Sequence, residues 1–470
     1  MFQSLLSLYN PWWNDSTWQI AGVRRDLFEK LITSIEKSAY ITILKGARQS
    51  GKTFLIKQCI TALLGGQYSA RNIFYFLLDD PELAKYIEQN PAEFANFLRN
   101  EAQSRGRILV VIDEFQKVAS ITELVKLFYE SASNIKFVLT GSSSLQIADK
   151  ISESLLGRTE TFVLYPFSFK EFLSATAAEW PFSFPLEDSQ KLMWNFLDDP
   201  EAVFAEVKAH YAQYHFAYRH FAARQLPRYL LTGGYPQSAL AANSDEAFLR
   251  LKEIKQVFLE KDIVNLLRLE KLKEFDHCMR FLALQSGSLI QYNEVQSAVG
   301  VNAPTLKQFL NILEATFLWS PLPVYSTNKI SSIKKRPKGY FNDVGSRNFL
   351  ASTFDRVQLE KEKGAVAENF VYSHLLMSNQ YRWRGLANLF FWRSPDGNEI
   401  DFLLESKGKL LPIEVKFQRP ESLKIQAGLR IFLKKMGLQH AVVVSDETLE
   451  KRLMDNEQII IIPLVLWGMI

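Results

Sequence analysis

The stretch GARQSGKT, residues 46–53, decides the fold of the N-terminal part of the chain. It matches the pattern G-x-x-x-x-G-K-[ST], in which a glycine-rich turn joins a buried strand to a helix. The context fits, because an apolar run at 40–44 precedes the turn and an apolar helical pattern at 54–64 follows it. Backbone N–H groups of such a turn surround a phosphate at a helix N-terminus, where the dipole favours an anion. The sequence therefore predicts a phosphate-binding loop.

We expect the side chains of this loop to have separate tasks toward ATP and Mg²⁺. Lys52 supplies a positive charge for the β- and γ-phosphates, and the Thr53 hydroxyl is a ligand of Mg²⁺. The full set that we predict to bind the nucleotide includes two residues from later strands: Gly46, Arg48, Gln49, Ser50, Gly51, Lys52, Thr53, Asp113 and Thr140.

A second motif, ILVVIDE at 108–114, is an apolar run that ends in two carboxylates. Such a run is typical of a buried strand that delivers the two acids to the edge of a sheet. Asp113 is then placed to hold Mg²⁺, and Glu114 to polarise the attacking water. Many strands end in acids, so this motif gains its meaning from its place in the same alternating unit as the loop.

Short apolar runs alternate with helical stretches through residues 40–165. This pattern predicts an α/β fold of the P-loop NTPase type, with a parallel sheet and helical crossovers. The strand runs lie at 40–44, 73–77, 108–112 and 137–140.

Two further positions extend the predicted phosphate site. The run 137–140 ends in hydroxyls, and we expect Thr140 or Ser142 to contact the γ-phosphate or the attacking water; a loop that caps the next helix is the alternative. We expect Arg158 to act as an arginine finger, in its own chain or from a neighbouring copy in a homo-oligomer; a surface arginine is the alternative.

Composition and charge limit the class of protein. The chain has 470 residues, 47% of them hydrophobic, and a net charge of +4, which predicts several globular domains and permits nucleic-acid contact without requiring it. Cys59 and Cys278 are the only cysteines, so we expect no disulfide framework and no cysteine zinc site. The N-terminus lacks a secretory pattern, and the apolar run 459–470 is shorter than the roughly 20 residues of a membrane helix. We therefore expect a cytoplasmic protein with no membrane contact, and a buried strand at 459–470.

Together with other motifs, these stretches resemble the bacterial and archaeal AAA-type ATPases that carry a C-terminal DUF4143 region. The resemblance implies an ATPase core, a helical lid, a winged-helix segment and a nuclease-like C-terminal domain. A segment at about 175–226, rich in aromatic residues, is not matched and is interpreted as an insertion. The matching stretches are 45–53, 112–117, 139–143, 157–158, 165–172, 233–236, 341–345, 364–370 and 399–401.

The middle of the chain reads as a winged helix-turn-helix, with helices at 275–285, 292–299 and 303–314 and a β-like run at 316–325. The third helix offers few base-reading side chains, so we expect basic residues after it to hold a DNA backbone instead. A structural helical connector with a solvated basic loop is the alternative. The helix residues are Lys307, Gln308 and Asn311, and the basic residues are Lys329, Lys334, Lys335, Arg336 and Lys338.

The last domain carries acids in alternating strand patterns. In 399–404 the alternation places Glu399, Asp401 and Leu403 on one face, and a hairpin loop at 406–409 then sets Asp401 opposite Glu414. Two opposed carboxylates repel unless a cation lies between them or one is protonated. The hairpin also places Glu399 opposite Lys416, and an ion pair between these two on an open sheet face is the alternative.

Glu368 lies on an otherwise apolar helix face, which is costly for an unpaired acid. Its pattern with the strand acids resembles the PD-(D/E)xK nuclease superfamily. The resemblance implies that Glu368, Asp401 and Glu414 bind the metal and that Lys416 orients the water or stabilises the transition state.

From the sequence we predict an ATPase whose nucleotide state controls DNA binding, and in one version DNA cleavage, by its C-terminal half. An interaction switch, in which the nuclease-like domain binds a partner without catalysis, is the alternative from a different class. The predicted boundaries are 1–165 for the P-loop core, 166–270 for the lid with its insertion, 271–345 for the winged helix and 346–470 for the nuclease-like domain.

Overall fold

The chain folds into two compact units, residues 1–165 and 166–470. The structure is a computed structural model. It describes residues 2–15, 17–131, 134–142, 155–176, 197, 199–264, 271–328, 330, 332, 335–417, 427–454 and 456–469.

The first unit is built on a parallel sheet of five strands in the order β2-β3-β4-β1-β5. The predicted α/β fold is confirmed, and so are the four strands read from the sequence; the fifth, at the edge, is an addition. Strand β3 is buried along its whole length, as expected for a sheet covered on both faces. The strands are β1 Ile41–Gly46, β2 Ile73–Leu77, β3 Ile108–Asp113, β4 Ile135–Gly141 and β5 Thr159–Leu164.

Helices cover the two faces of this sheet. On one face, the apolar sides of α4, α5 and α6 pack against alternate residues of β2, β3 and β4 in a single core cluster. The bounds of the helices are α1 Phe2–Tyr9, α2 Phe28–Lys37, α3 Lys52–Leu63, α4 Pro81–Gln89, α5 Pro91–Arg105 and α6 Ile121–Glu130.

The second unit begins with the predicted helical region. Part of the interpreted insertion, including residues 177–196, lies outside the described residues. The described helices of this region are α7 Phe169–Thr176, α8 Pro200–Gln213, α9 His215–Ala217, a π-helical turn Tyr218–Ala222, α10 Ala223–Thr232, α11 Pro236–Ala239, α12 Ser244–Val257 and a second π-helical turn Phe258–Ile263.

Three helices and a two-stranded antiparallel ribbon follow, in the order that the winged-helix pattern predicts. The strand β6 pairs with β7, and α13 to α15 precede the ribbon. The elements are α13 Leu272–Leu284, α14 Tyr292–Val299, α15 Ala303–Ala315, β6 Trp319–Leu322, β7 Lys338–Phe341, α16 Val344–Ala351 and α17 Arg356–Lys361.

The C-terminal sheet is mixed, with six strands in the order β12-β13-β11-β10-β9-β8. The run 459–470 forms most of β13 and then a short helix, so the predicted strand is confirmed only in its first half. Its elements are α18 Lys363–Tyr381, β8 Asn388–Arg393, β9 Glu399–Ser406, β10 Lys409–Lys416, α19 Ala427–Met436, β11 His440–Ser445, β12 Glu450–Met454, β13 Glu457–Pro463 and α20 Leu464–Trp467.

Several motifs of the family resemblance meet in one buried joint of the second unit. The Asp343 carboxylate accepts the backbone N–H of Gly234 at 2.7 Å. A Cβ on Gly234 would lie 2.1 Å from the Phe167 carbonyl oxygen, and a Cβ on Gly345 would lie 2.2 Å from that of Thr232. These glycines are required because three backbone segments approach one another too closely for a side chain. The motifs at 165–172, 233–236 and 341–345 therefore hold the fold together.

Candidate functional site: a phosphate loop and an acid cluster

The phosphate loop lies between β1 and α3, where the sequence predicts it. Lys52 opens α3 with its side chain folded back, and its ammonium group donates to the carbonyl oxygens of Gly46 and Ala47 at 3.0 Å each. Gln49 and Gly51 have backbone φ angles of 62° and 98°, in the left-handed region that a tight turn requires. The lysine charge is thus held within the loop, where a phosphate would be bound.

The Asp113 carboxylate is buried at the end of β3 and faces the start of α3. The Thr53 hydroxyl donates to its Oδ2 at 2.6 Å, and the Tyr75 hydroxyl donates to the same oxygen at 2.6 Å. Thr140 donates to Oδ1. The two predicted Mg²⁺ ligands, Thr53 and Asp113, are therefore in direct contact. Their oxygen donor set fits a hard cation such as Mg²⁺.

Thr140 connects the two acids at the end of β3. Its side chain is fully buried, its hydroxyl oxygen accepts the Glu114 N–H at 3.3 Å, and its hydroxyl donates to Asp113. Thr140 therefore positions these acids, and its contact with the nucleotide stays a prediction. Ser142 donates to the Glu114 carboxylate at 3.1 Å.

Arg158 is not brought to the loop of its own chain. It directly precedes β5, and its carbonyl oxygen accepts the N–H of Ile41, the first residue of β1. Because β1 and β5 are parallel, this is the edge of the sheet opposite the phosphate loop. The side chain pairs with Glu130 at 2.7 Å. A finger within the chain is thus contradicted, and a role toward a neighbouring copy stays a prediction.

Two residues of this site were missed by sequence reasoning. Tyr75 reaches Asp113 from the neighbouring strand β2. Burial and the Asp113 carboxylate raise the pKa of Tyr75, so its hydroxyl remains a donor. The buried Arg25 donates to the carbonyl oxygens of Ser50 at 2.8 Å and of Tyr165 at 2.6 Å, which fixes the loop against the end of the unit. Neither residue belongs to a recognisable motif.

In the second unit, the hairpin register agrees with the prediction. Ile413 pairs with Phe402, so the next residue of β10, Glu414, follows opposite Asp401. The connecting turn is tighter than expected, because Ser406 already pairs with Lys409.

The predicted alternation along β9 is wrong beyond Asp401. Phe390 of β8 pairs with Leu403 of β9, and Trp392 pairs with Ile400. The two strands thus differ by one residue over this interval, and the extra residue on β9 forms a β-bulge. The extra residue places Leu403 in the same apolar cluster as Ile400. Phe402 instead lies 5.6 Å from the ring of Tyr340 on β7. The bulge thus turns the Asp401–Phe402 pair toward the ribbon.

A lysine that the sequence placed in a DNA-binding loop lies instead among these acids. The Lys338 ammonium is 3.1 Å from Glu368, 2.5 Å from Glu399 and 4.0 Å from Asp401, and its side chain is 3% exposed. It is therefore unavailable to a DNA backbone. Glu399 also pairs with Arg393 at 3.6 Å.

The remaining members of the cluster have their partners on β10. Lys416 pairs with Glu414 at 2.8 Å. Asp401 accepts the Val415 N–H at 2.8 Å. Lys416 therefore neutralises an acid of its own strand, and one Asp401 oxygen is occupied by the backbone.

Burial and mutual repulsion change the proton affinities of this cluster. Burial, and then the Asp401 charge, raise the pKa of Glu414 to about 8 and that of Glu368 to about 7. Burial also raises the pKa of Asp401. Burial alone would lower the pKa of Lys338, but the carboxylates of Glu368, Asp401 and Glu399 outweigh it and raise the pKa above the ordinary lysine value.

The predicted metal site of Glu368, Asp401 and Glu414 is not formed. Within the described ranges, no three His, Cys, Asp or Glu side chains converge closely enough to hold a metal ion. The physical reason is that Lys338 already supplies a cation to two of these acids. The arrangement therefore does not fit the Mg²⁺ that the nuclease resemblance implies.

Three protein-family profiles match successive parts of the chain. The profile described as an AAA domain matches residues 38–173, which contain the loop and both strand-end acids. The profile of the domain of unknown function DUF4143 matches residues 363–467. The chain carries an AAA domain and a DUF4143 domain. Between them, the profile of a second domain of unknown function, DUF8612, matches residues 223–357. Lys338 therefore reaches the DUF4143 acids from the preceding domain.

Relatives align with most of this chain. An uncharacterized protein of Haemophilus influenzae is 23% identical over 412 residues, which cover 86% of this chain and 88% of the relative. An uncharacterized protein of Methanocaldococcus jannaschii is 24% identical over 469 residues, 95% of this chain and 91% of the relative. The match with a solved structure of C. elegans PCH-2 covers 32% of this chain and 42% of the PCH-2 chain, with 14% sequence identity and a TM-score of 0.23.

The AAA domain indicates a nucleotide-dependent activity. Of the helices in the described part of the chain, none combines the length and hydropathy needed to cross a bilayer.

Proposed function

We propose that the AAA domain binds and hydrolyses ATP, and that its nucleotide state controls what the C-terminal unit binds. The observation that carries the proposal is the contact between the Thr53 hydroxyl and the buried Asp113 carboxylate, 2.6 Å apart beside the loop that contains Lys52. Phosphoryl transfer requires a phosphate loop, a lysine and oxygen ligands for Mg²⁺. The loop, Lys52 and the oxygens of Thr53 and Asp113 provide these parts.

Each side chain has a task that follows from its position. Lys52 is released from the carbonyl oxygens of the loop when a phosphate offers it a stronger, charged partner. Thr53 and Asp113 would hold Mg²⁺, which would neutralise negative charge on the phosphates. Glu114, which follows Asp113 in the chain, orients the attacking water and takes up its proton. Its carboxylate is held by Ser142 at 3.1 Å.

Phosphate release at saturating ATP tests the proposal. Lys52→Ala should reduce turnover to background, because it removes the charge that contacts the phosphates. Lys37→Ala is the matched control, since this exposed lysine ends α2 before the sheet begins. Wild-type turnover by Lys52→Ala would refute ATP hydrolysis at this loop.

We further propose DNA as the partner of the winged-helix-like elements. Three polar residues of α15, Lys307, Gln308 and Asn311, are exposed, and Lys335 and Arg336 are exposed just before the ribbon strand β7. Lys329 and Lys334 lie outside the described residues. Basic side chains of this kind contact phosphates and fix the orientation of a protein on a duplex.

Fluorescence anisotropy with a labelled duplex at several salt concentrations tests DNA binding. The double variant Lys335→Ala/Arg336→Ala should flatten the plot of log affinity against log salt by roughly 0.9 for each phosphate contact that is lost. Lys252→Ala serves as the control, because this exposed lysine lies on α12. An affinity that does not change with salt would exclude phosphate contacts.

A more specific version of this proposal is that the DUF4143 domain cleaves DNA with the help of a metal ion. The position of Lys338 among its acids favours the alternative, in which the domain binds a partner and cuts nothing. An assay on linear, supercoiled and single-stranded DNA with Mg²⁺ or Mn²⁺, with and without ATP, decides between them. Cleavage that Asp401→Ala abolishes would support the nuclease, and intact DNA supports the switch.

A further inference from the structure

Lys338 gives the acid cluster a cation that the protein carries itself. Its ammonium contacts carboxylates from two elements, Glu368 on α18 and Glu399 on β9, and lies 4.0 Å from Asp401. The side chain is 3% exposed, so water screens these contacts weakly. A buried lysine is costly without such partners, which means that the acids and the lysine stabilise one another.

The strand that carries Lys338 is fixed in place. The Asn369 side chain accepts the Phe341 N–H at 3.1 Å and donates to the Phe341 carbonyl oxygen at 2.9 Å. The Tyr340 ring stacks on Tyr372 with centroids 4.5 Å apart, and the Tyr340 hydroxyl donates to Glu368. Withdrawal of β7 would break all of these buried contacts. Lys338 is therefore a permanent member of the cluster.

One oxygen of each of the other two acids also has a partner. Glu414 has Lys416 at 2.8 Å, and Asp401 Oδ2 accepts the Val415 N–H at 2.8 Å. Mg²⁺ needs a near-octahedral set of oxygens at about 2.0–2.1 Å, which these carboxylates do not offer while they are bound to ammonium and backbone groups. In addition, an ammonium group is no Lewis acid, so it does not generate a metal-bound hydroxide from water.

We propose that Lys338 replaces the divalent cation in the nuclease-like fold, so that the DUF4143 domain works without metal and does not hydrolyse phosphodiester bonds. The acids are retained because they bind the ribbon strand of the preceding domain to the C-terminal sheet. This inference is independent of the ATPase proposal, which phosphate release at the AAA domain tests separately.

The first measurement is Mn²⁺ binding to the nucleotide-free full-length chain, followed by electron paramagnetic resonance of the free ion. Wild type and Asp401→Asn should give the same binding isotherm, because Asp401 holds no metal. A saturable site in wild type that Asp401→Asn removes would overturn the proposal. This comparison leaves Lys338 in place, so it remains decisive if variants of Lys338 fail to fold.

The second measurement removes the internal cation. Lys338→Met keeps most of the length of the side chain and should gain one Mn²⁺ site, and the double variant Lys338→Met/Asp401→Asn should lose it again. Lys338→Arg is the matched control, which keeps the charge and should gain none. If Lys338→Met folds, as judged by circular dichroism, and binds no additional Mn²⁺, Lys338 is not what excludes the metal and the assignment fails.

Discussion

Tyr75 provides the sharpest test of the phosphate site. Its hydroxyl and that of Thr53 both donate to Oδ2 of Asp113 at 2.6 Å. When Thr53 turns to Mg²⁺, as we propose, Tyr75 becomes the hydroxyl that still holds this oxygen. Tyr75→Phe removes that donor and leaves the ring, which is 1% exposed, in its packing.

The size of the expected effect follows from the charge of the hydrogen-bond partner of Tyr75, the Asp113 carboxylate. A hydrogen bond to a charged group contributes about 1.5–3 kcal/mol, and 1.4 kcal/mol is a factor of ten in affinity. Loss of a donor that orients a metal-binding carboxylate typically weakens metal affinity about 10- to 100-fold. We therefore expect Tyr75→Phe to bind Mg²⁺-ATP about tenfold more weakly, or worse. ATP without Mg²⁺ should bind nearly as in wild type.

Titration with a fluorescent ATP analogue, with Mg²⁺ and with EDTA, measures both constants. Tyr68→Phe is the matched control: Tyr68 is equally buried but lies against Arg107, just before the first residue of β3, far from Asp113. Equal affinities of Tyr75→Phe and wild type in Mg²⁺ would refute the reasoning. An equal loss with and without Mg²⁺ would assign Tyr75 to the fold of the loop instead.

Three further predictions concern other groups. Glu114→Gln should bind ATP but not hydrolyse it, and full turnover in a phosphate-release assay would remove Glu114 from the mechanism. Mixing Lys52→Ala with Arg158→Ala protein should restore part of the ATPase activity if a neighbouring copy supplies the arginine; turnover that is independent of protein concentration, with no rescue, would make Arg158 a bystander. The pKa values of Glu368, about 7, and Glu414, about 8, lie above their ordinary value because of burial. A carboxyl group whose pKa is raised by folding stabilises the fold at low pH, and this contribution is lost as the pH rises through the folded pKa. The melting temperature should therefore fall between about pH 5 and pH 8, from above the ordinary carboxyl pKa to the raised values. A constant melting temperature over this interval would contradict these assignments.

The sequence predicts the phosphate site well because its parts obey local rules. The loop is contiguous, and Asp113 ends a run whose burial and direction follow from its composition. The register of Asp401 against Glu414 was also predictable, since a short hairpin fixes the pairing of its strands.

The remaining features depend on contacts between distant segments. Tyr75 joins the site only because β2 lies beside β3 in the sheet. The sequence predicts that Lys338 holds a DNA backbone, because lysine is rarely buried; its burial depends on acids from α18 and β9. The bulge in β9 that turns Asp401 has no signature in the alternation of residues.

The origin of Lys338 matters for anyone who expresses parts of this chain. The DUF4143 profile begins at residue 363, and a recombinant fragment cut there retains Glu368, Glu399 and Asp401 but loses the lysine that neutralises them. Such a fragment would carry these acids without their buried ammonium partner, and we expect it to bind Mg²⁺, Mn²⁺ or nickel from a purification column in its place. Metal content or nicking activity seen in the fragment would then be created by the cloning boundary, and expression should begin upstream of β6.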